Sequence, residues 1–219
     1  MMTAIDEALA RLYPSRRWAE RDEESAFRTG VPGGLGARLA ERVAPALGTL
    51  AVYRPGGAEE YCDFVYVLCF GRRPSVLEVR EGAAQAEELL AAAGDPDEAV
   101  SELHLRVALS TLAPFAAVQQ VAVSARHAGG DLVCIEAPRA GVFDPILLPR
   151  LQKLVAVLTE LEVRHLDFGD LTQPPPGFDG GDYESRYGNR PALVNYLFFP
   201  QPASAITTTV IPPSACASS

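Results

Sequence analysis

The stretch Tyr61-Cys62-Asp63-Phe64-Val65-Tyr66-Val67-Leu68-Cys69-Phe70 decides how the rest of the chain is read. It is apolar almost throughout, broken chiefly by Asp63. In a strand, successive side chains point to opposite faces. Phe64, Tyr66, Leu68 and Phe70 would then share one face, and Val65 and Val67 the other. Both faces are apolar, so both need cover. That pattern belongs to a central strand of a sheet packed on two sides.

Strands are expected around it. Thr49–Arg54 is bounded downstream by Pro55-Gly56-Gly57, and Ser75–Arg80 follows a turn at Gly71–Pro74. Such short spacers make an antiparallel meander. Val118–His127 and Leu132–Ala137 flank Ala128-Gly129-Gly130-Asp131, the clearest hairpin signal in the chain. Val163–Phe168 and Leu193–Phe199 read as further strands.

Helices are expected between and before these strands. Residues 3–12 place Ile5, Leu9 and Leu12 on one face. A helix beginning after Pro32-Gly33-Gly34 and running to about Leu47 carries Leu35, Leu39, Val43 and Leu47 as one stripe. Ala83–Ala93 is helical by propensity. Asp95-Pro96-Asp97-Glu98 is a helix start, with a capping Asp and a Pro at the first helical position. Ser101–Leu112 alternates at Leu103, Leu105, Val107 and Leu109, as a strand would. The start signal and the Glu102–Arg106 spacing favour helix, and we read it so. Asp144-Pro145 opens a last helix to about Leu161. The expected fold is α+β, a mainly antiparallel sheet of about five to seven strands with helices packed on it. Residues 1–199 read as one domain. Residues 200–219 read as an uncharged tail rich in Pro, Ser and Thr, within which Ile206–Ile211 has the β-branched composition of a strand.

Composition narrows the function classes. Hydrophobic residues make up 48% of the chain, enough for a sizeable core. Lys153 is the lone lysine, and Asn occurs only at Asn189 and Asn195, a skew expected of a GC-rich bacterial genome. The formal net charge is −9. Phosphate backbones repel such a chain, and the close basic pairs Arg16-Arg17 and Arg72-Arg73 stand apart, so nucleic acid is not an expected partner. An acidic surface would suit a basic protein partner. Neither a signal peptide nor an apolar run near the ~20 residues of a membrane helix is found, so a cytoplasmic protein without membrane contact is expected. Cys62, Cys69, Cys134 and Cys216 lack metal or redox spacing, and the first three read as buried reduced thiols.

Two regions stand out as candidate sites. His165-Leu166-Asp167-Phe168-Gly169-Asp170 would place His165 and Asp167 on one side of a strand, where they could share a metal or act as an acid–base pair, with Asp170 nearby. The bland reading is a strand end with solvated acids. The other region is Thr172–Arg190, a long Pro/Gly-framed connection. Such segments inside compact domains are often functional. Asp179, Asp182, Tyr183, Arg186, Tyr187 and Arg190 are its candidate binding residues, with Tyr and Arg the types that dominate interface hot spots. Its bland reading is a solvated insertion that packs its own aromatics.

Lesser candidates are weaker on chemistry. Gly33-Gly34-Leu35-Gly36 opens a helix but matches no phosphate-binding pattern. Cys69 with His104 or His127 could form a nucleophile and base only if the fold brought them together. Ser110 and Ser124 lack a nucleophile-elbow context. Trp18 reads as an anchor for the N-terminal stretch. The expected function is a non-catalytic binding protein of the immunity, adaptor or chaperone type, acting through residues 172–190, with no cofactor implied. The alternative is a metal-assisted or acid–base hydrolase centred on His165, Asp167 and Asp170.

Overall fold

The computed structural model describes residues 3–22, 34–56, 61–71, 75–76, 100–128, 131–139 and 143–199. Within them the chain runs α1 (Ala4–Leu12), α2 (Gly34–Leu47), β1 (Ala51–Arg54), β2 (Cys62–Phe70), β3 (Val100–Ser110), β4 (Phe115–Ala128) and β5 (Asp131–Arg139). A 3₁₀ turn at Pro145–Leu147 leads into α3 (Leu148–Glu160), followed by β6 (Arg164–Leu166), α4 (Phe168–Leu171), α5 (Asp182–Tyr187) and α6 (Leu193–Leu197).

The strands form one six-stranded sheet in the order β1-β2-β3-β4-β5, with β6 joined to β4. All pairings are antiparallel except β4 with β6. The length of β4 explains the exception. Its residues Gln120–Ala128 pair with β5, and Phe115–Ala117 remain to pair with β6, which returns in parallel after α3 has crossed over. The fold is α+β, as the sequence predicts.

Both faces of β2 are covered. Phe64 and Tyr66 enter a core with α1, α6, Ala108, Phe115 and Ala117. Val65, Val67 and Cys69 enter a second core with Leu39 and Val43 of α2 and Leu154, Val157 and Leu158 of α3. The expected placement of Phe70 is corrected. The register shifts between Leu68 and Phe70, so that Phe70 pairs with Leu103, whose side chain packs against the second core. An extra residue in one strand re-aims the side chains beyond it, and strict alternation cannot foresee it.

Local chemistry accounts for the helix ends. Thr3 caps α1, its Oγ1 accepting from the Asp6 amide at 3.2 Å, while Asp6 accepts from the Thr3 amide at 2.9 Å. Gly48, at φ 63°, ends α2, and the Thr49 amide donates back to the Ala44 carbonyl. Asp144 accepts from the Ile146 amide at 3.0 Å and opens the turn into α3. Gly36 has a packing reason. A Cβ there would collide with the ring of Tyr53.

Two element assignments are corrected. Residues 101–112, read as helix, hold strand β3. Leu105, Val107 and Leu109 fill the second core, while Glu102, His104, Arg106 and Ser110 project to the other face and are buried. Glu102 and Arg106 do not pair with each other. Glu102 accepts from Ser75 and Val76, and Arg106 binds Gln119 and Glu136. Of residues 193–199, read as strand, Leu193–Leu197 form α6. The Asn195 side chain accepts from the Ala192 amide at 2.9 Å and donates to the Phe199 carbonyl at 3.2 Å, tying both ends of this short helix. A continuous apolar run fits a buried strand or a buried helix equally. The strand expected at Val163–Phe168 is shorter, Arg164–Leu166, because the chain turns helical at Phe168. Of Ser75–Arg80 only Ser75 and Val76 are described, and neither lies in a strand. The helices expected at Ala83–Ala93 and after Asp95, and the tail after Phe199, lie outside the described residues.

Candidate functional site

Segment 172–190 is fastened to the N-terminal stretch. The Asp179 amide donates to the Arg16 carbonyl at 2.8 Å, and the Trp18 amide donates to the Asp179 carbonyl at 3.1 Å. Phe178 stands edge-on to Tyr13 and Tyr196, with centroids 6.4 and 5.4 Å away. At its far end the Leu193 amide donates to the Gln173 carbonyl at 2.8 Å. The glycine pair is also committed to packing. A side chain on Gly180 would strike Pro191 and Glu184, and Gly181 holds φ 45° at the start of α5. The centre of the segment is therefore a built turn.

The expected binding residues divide into two groups. Tyr183 and Tyr187 share a face of α5, with ring centroids 4.7 Å apart. That face points inward. Tyr183 is 1% exposed and lies against Trp18, and burial pushes its phenol up to about 12. The hot-spot role expected of Tyr183 gives way to a core role. Arg190 does not share a helical face with Arg186, because α5 ends at Tyr187 with Gly188 at φ 73°. Arg190 instead donates to the Phe178 carbonyl at 2.7 Å and pairs with Glu184 at 3.2 Å. Asp179 is exposed but accepts from the Gly181 amide. Asp182 and Arg186 are exposed on the outer face of α5.

The entry to this segment forms one wall of a cleft of about 320 Å³. Pro174, Pro175 and Pro176 face α1 across it, with Ile5, Leu9 and Leu193 as its apolar lining. Asp6, Arg164, Asp170 and Gln173 supply polar groups. The Asp6 carboxyl is held below its usual range by the Thr3 amide and hydroxyl. Apolar walls with a few convergent polar groups, at this volume, are the ordinary make-up of a small binding site. The prolines were legible in the sequence as a frame of the segment; their place opposite α1 was not.

The His165 constellation does not assemble. Asp170 and Arg164 both line the cleft. His165 is half-buried, and burial lowers its pKa, with Asp167 raising it in part. Asp167 is exposed at the point where the chain leaves β6 and becomes helical, which ends the alternation that would align it with His165. Among the described residues, no group of three or more His, Cys, Asp and Glu side chains gathers as a metal site.

Sequence reasoning missed a buried polar layer on the β3 face toward α1. Glu102 accepts from Ser75 Oγ at 2.7 Å, from the Val76 amide at 3.1 Å, and bonds His104 Nε2 at 2.9 Å. His104 is fully buried, and among the described residues its Nδ1 has no hydrogen-bond partner. Here the carboxylate sits between serine and histidine. A triad needs the histidine in the middle to take the hydroxyl proton, so this order does not activate Ser75. Alongside, Arg106 bonds Glu136 at 3.1 Å, and the Tyr66 hydroxyl reaches the same carboxylate at 3.1 Å. The polar positions alternating with Leu103, Leu105, Val107 and Leu109 were the available signal. Cys69 belongs to the opposite core from His104, and burial raises its thiol. The fold does not bring these two together as a nucleophile and base. Cys62 and Cys69 are both buried thiols; the side chains of Cys134 and His127, and Cys216 as a whole, lie outside the described part of the chain. Ser110 is spent on structure, donating to the Leu197 carbonyl at 2.6 Å.

No family model, no curated protein and no solved structure matches the chain.

Proposed function

We propose that the chain is a non-catalytic binding protein of the immunity, adaptor or chaperone type, working inside the cell and engaging a protein partner through segment 172–190. The observation that carries this reading is the cleft between α1 and Gln173–Pro176, with its apolar lining and polar rim. Prolines in a binding wall limit the entropy lost on association. Asp182 and Arg186 extend the same segment's exposed surface beyond the cleft. A basic partner suits the net charge of −9. The hydrolase reading draws no support from the arrangement of His165, Asp167 and Asp170.

The test is affinity capture from source-cell extract with the wild type and three exposed-site variants: Asp170→Arg, Asp182→Arg and, on α2, Glu41→Lys. A specific basic partner should be retained by wild type and Glu41→Lys and lost by Asp170→Arg and Asp182→Arg. Equal retention by all four would remove this segment as the binding surface.

A further inference from the structure

The polar side chains of the cleft between α1 and Gln173–Pro176 are of two kinds. Thr3 and Asp6 are spent on each other, the carboxylate accepting from the Thr3 amide and hydroxyl at 2.9 Å. Arg164, Asp170 and Gln173 are exposed, and among the described residues their side chains make no hydrogen bond or ion pair. Nearby polar groups on the same segment are spent as well. Thr172 Oγ1 donates to the Gly169 carbonyl at 3.0 Å, Asp179 accepts from the Gly181 amide, and Arg190 pairs with Glu184.

The fold brings the three uncommitted groups to one place. Alternation in β6 sends Arg164 and Leu166 to the same side of the sheet, Leu166 into the first core and Arg164 to the cleft. Asp170 reaches the cleft from α4, whose next residue, Leu171, enters that core. Ile5 and Leu9, four apart on α1, share a face and give the cleft its apolar floor together with Leu193. A cation, an anion and an amide therefore stand uncommitted around one apolar floor, and the two charges do not pair with each other.

We propose that this cleft reads a short linear segment of a protein partner in which a Lys or Arg and an Asp or Glu bracket one or two aliphatic side chains. The cation meets Asp170, the carboxylate meets Arg164, and the aliphatic side chains cover Ile5, Leu9 and Leu193. The Gln173 amide, free to donate and to accept, pairs with the backbone of the segment. Charge decides the occupant. A segment with basic charge alone faces a like charge in Arg164. One with acidic charge alone faces two, Asp6 and Asp170. An uncharged one leaves both rim charges without a counter-charge. Rim charges of this kind set specificity more than affinity. The inference rests on the binding role proposed for segment 172–190 and names what a partner, basic overall, presents there.

A randomised dodecapeptide library displayed on phage tests it. The library is selected on the wild type and counter-selected on Gln173→Trp, which fills the cleft and leaves its charge unchanged. Survivors should be enriched, relative to the unselected library, in aliphatic residues bracketed by one basic and one acidic residue. In fluorescence anisotropy, Asp170→Arg should weaken such a peptide at least about fivefold, and replacing the peptide's basic residue by Glu should restore binding to that variant. Arg164→Glu should behave likewise toward a peptide whose acid is replaced by Lys. Restored binding also shows that the variant is folded. Should a reversal fail to fold, Asp170→Asn and Arg164→Gln remove the charge alone, and in each the matching peptide residue should become indifferent to replacement by Ala. The proposal is overturned if no peptide depends on the cleft, if survivors carry charge of one sign or none, or if the folded variants show no charge coupling. Failure of the binding role itself reads differently: the wild type then captures no partner from extract, or all four capture proteins retain it equally. A partner lost with Asp170→Arg, alongside peptides of one charge sign, leaves that role standing and overturns this inference.

Discussion

The indole of Trp18 stands edge-on to the ring of Tyr183, with centroids 5.1 Å apart, and joins the N-terminal stretch to α5. Among the described residues, neither Trp18 Nε1 nor the Tyr183 hydroxyl has a hydrogen-bond partner, although both atoms are buried. The rings therefore hold this junction, and the hydroxyl does not. Tyr183→Ala should cost about 3–5 kcal/mol, the range for deleting a buried aromatic. Tyr183→Phe should leave stability unchanged or raise it, because it removes an unsatisfied buried hydroxyl. Denaturant midpoints followed by the fluorescence of Trp18, the chain's single tryptophan, check both. A large loss in Tyr183→Phe would mean that the hydroxyl has an acceptor.

The Glu102–His104 pair should respond unequally to substitution. Glu102 satisfies Ser75, the Val76 amide and His104 together. Glu102→Leu removes the acceptor these three buried groups share and should cost about 3–5 kcal/mol. His104→Leu removes a ring whose second nitrogen is already unpaired, and should cost clearly less. Urea unfolding of the two variants gives the comparison. Equal losses would show that the imidazole, rather than the carboxylate, organises the cluster.

His165 sets a pH dependence with a definite sign. Burial lowers its folded-state pKa, so the unfolded chain takes up the proton first on acidification. The corresponding stability is present above the unfolded value of about 6.5 and is lost as pH falls through the lower folded value. His165→Gln should remove this component and flatten the fall in Tm below about pH 6.5 relative to wild type. Parallel profiles for the two proteins would place the acid sensitivity elsewhere.

Gly36 and Tyr53 should be energetically coupled, since a Cβ at position 36 would occupy the space of the Tyr53 ring. Gly36→Ala should destabilise the wild type, because overpacking of about 1–3 kcal/mol opposes a helix-propensity gain of roughly 1 kcal/mol. In a Tyr53→Ala background the same change should stabilise by about 1 kcal/mol, with the propensity gain unopposed. A double-mutant cycle measures the difference. Additive effects would mean that the ring moves aside without cost.

What the sequence determined by itself was whatever a local period or a turn could specify. The two-faced strand Cys62–Phe70, the hairpin closing Ala128 onto Asp131, and helices α1, α2 and α3 follow from alternation, a Gly pair, capping residues and stripes of Leu and Val. From these the α+β class follows. Tertiary structure decided the elements whose local signals were balanced. β3 is a strand because its polar side chains find partners in Ser75, Gln119 and Glu136, which only the folded sheet brings within reach. Residues 193–197 are helical because Asn195 bonds the backbone at both ends inside an apolar core that would have accepted either form. Segment 172–190 was recognisable as unusual from its prolines, glycines and aromatics. Which of its side chains face out was not, because the burial of Tyr183 depends on Trp18 and the cleft depends on α1, both distant in the chain. Periodicity and propensity report on neighbours along the backbone, whereas burial and partnership are properties of neighbours in space.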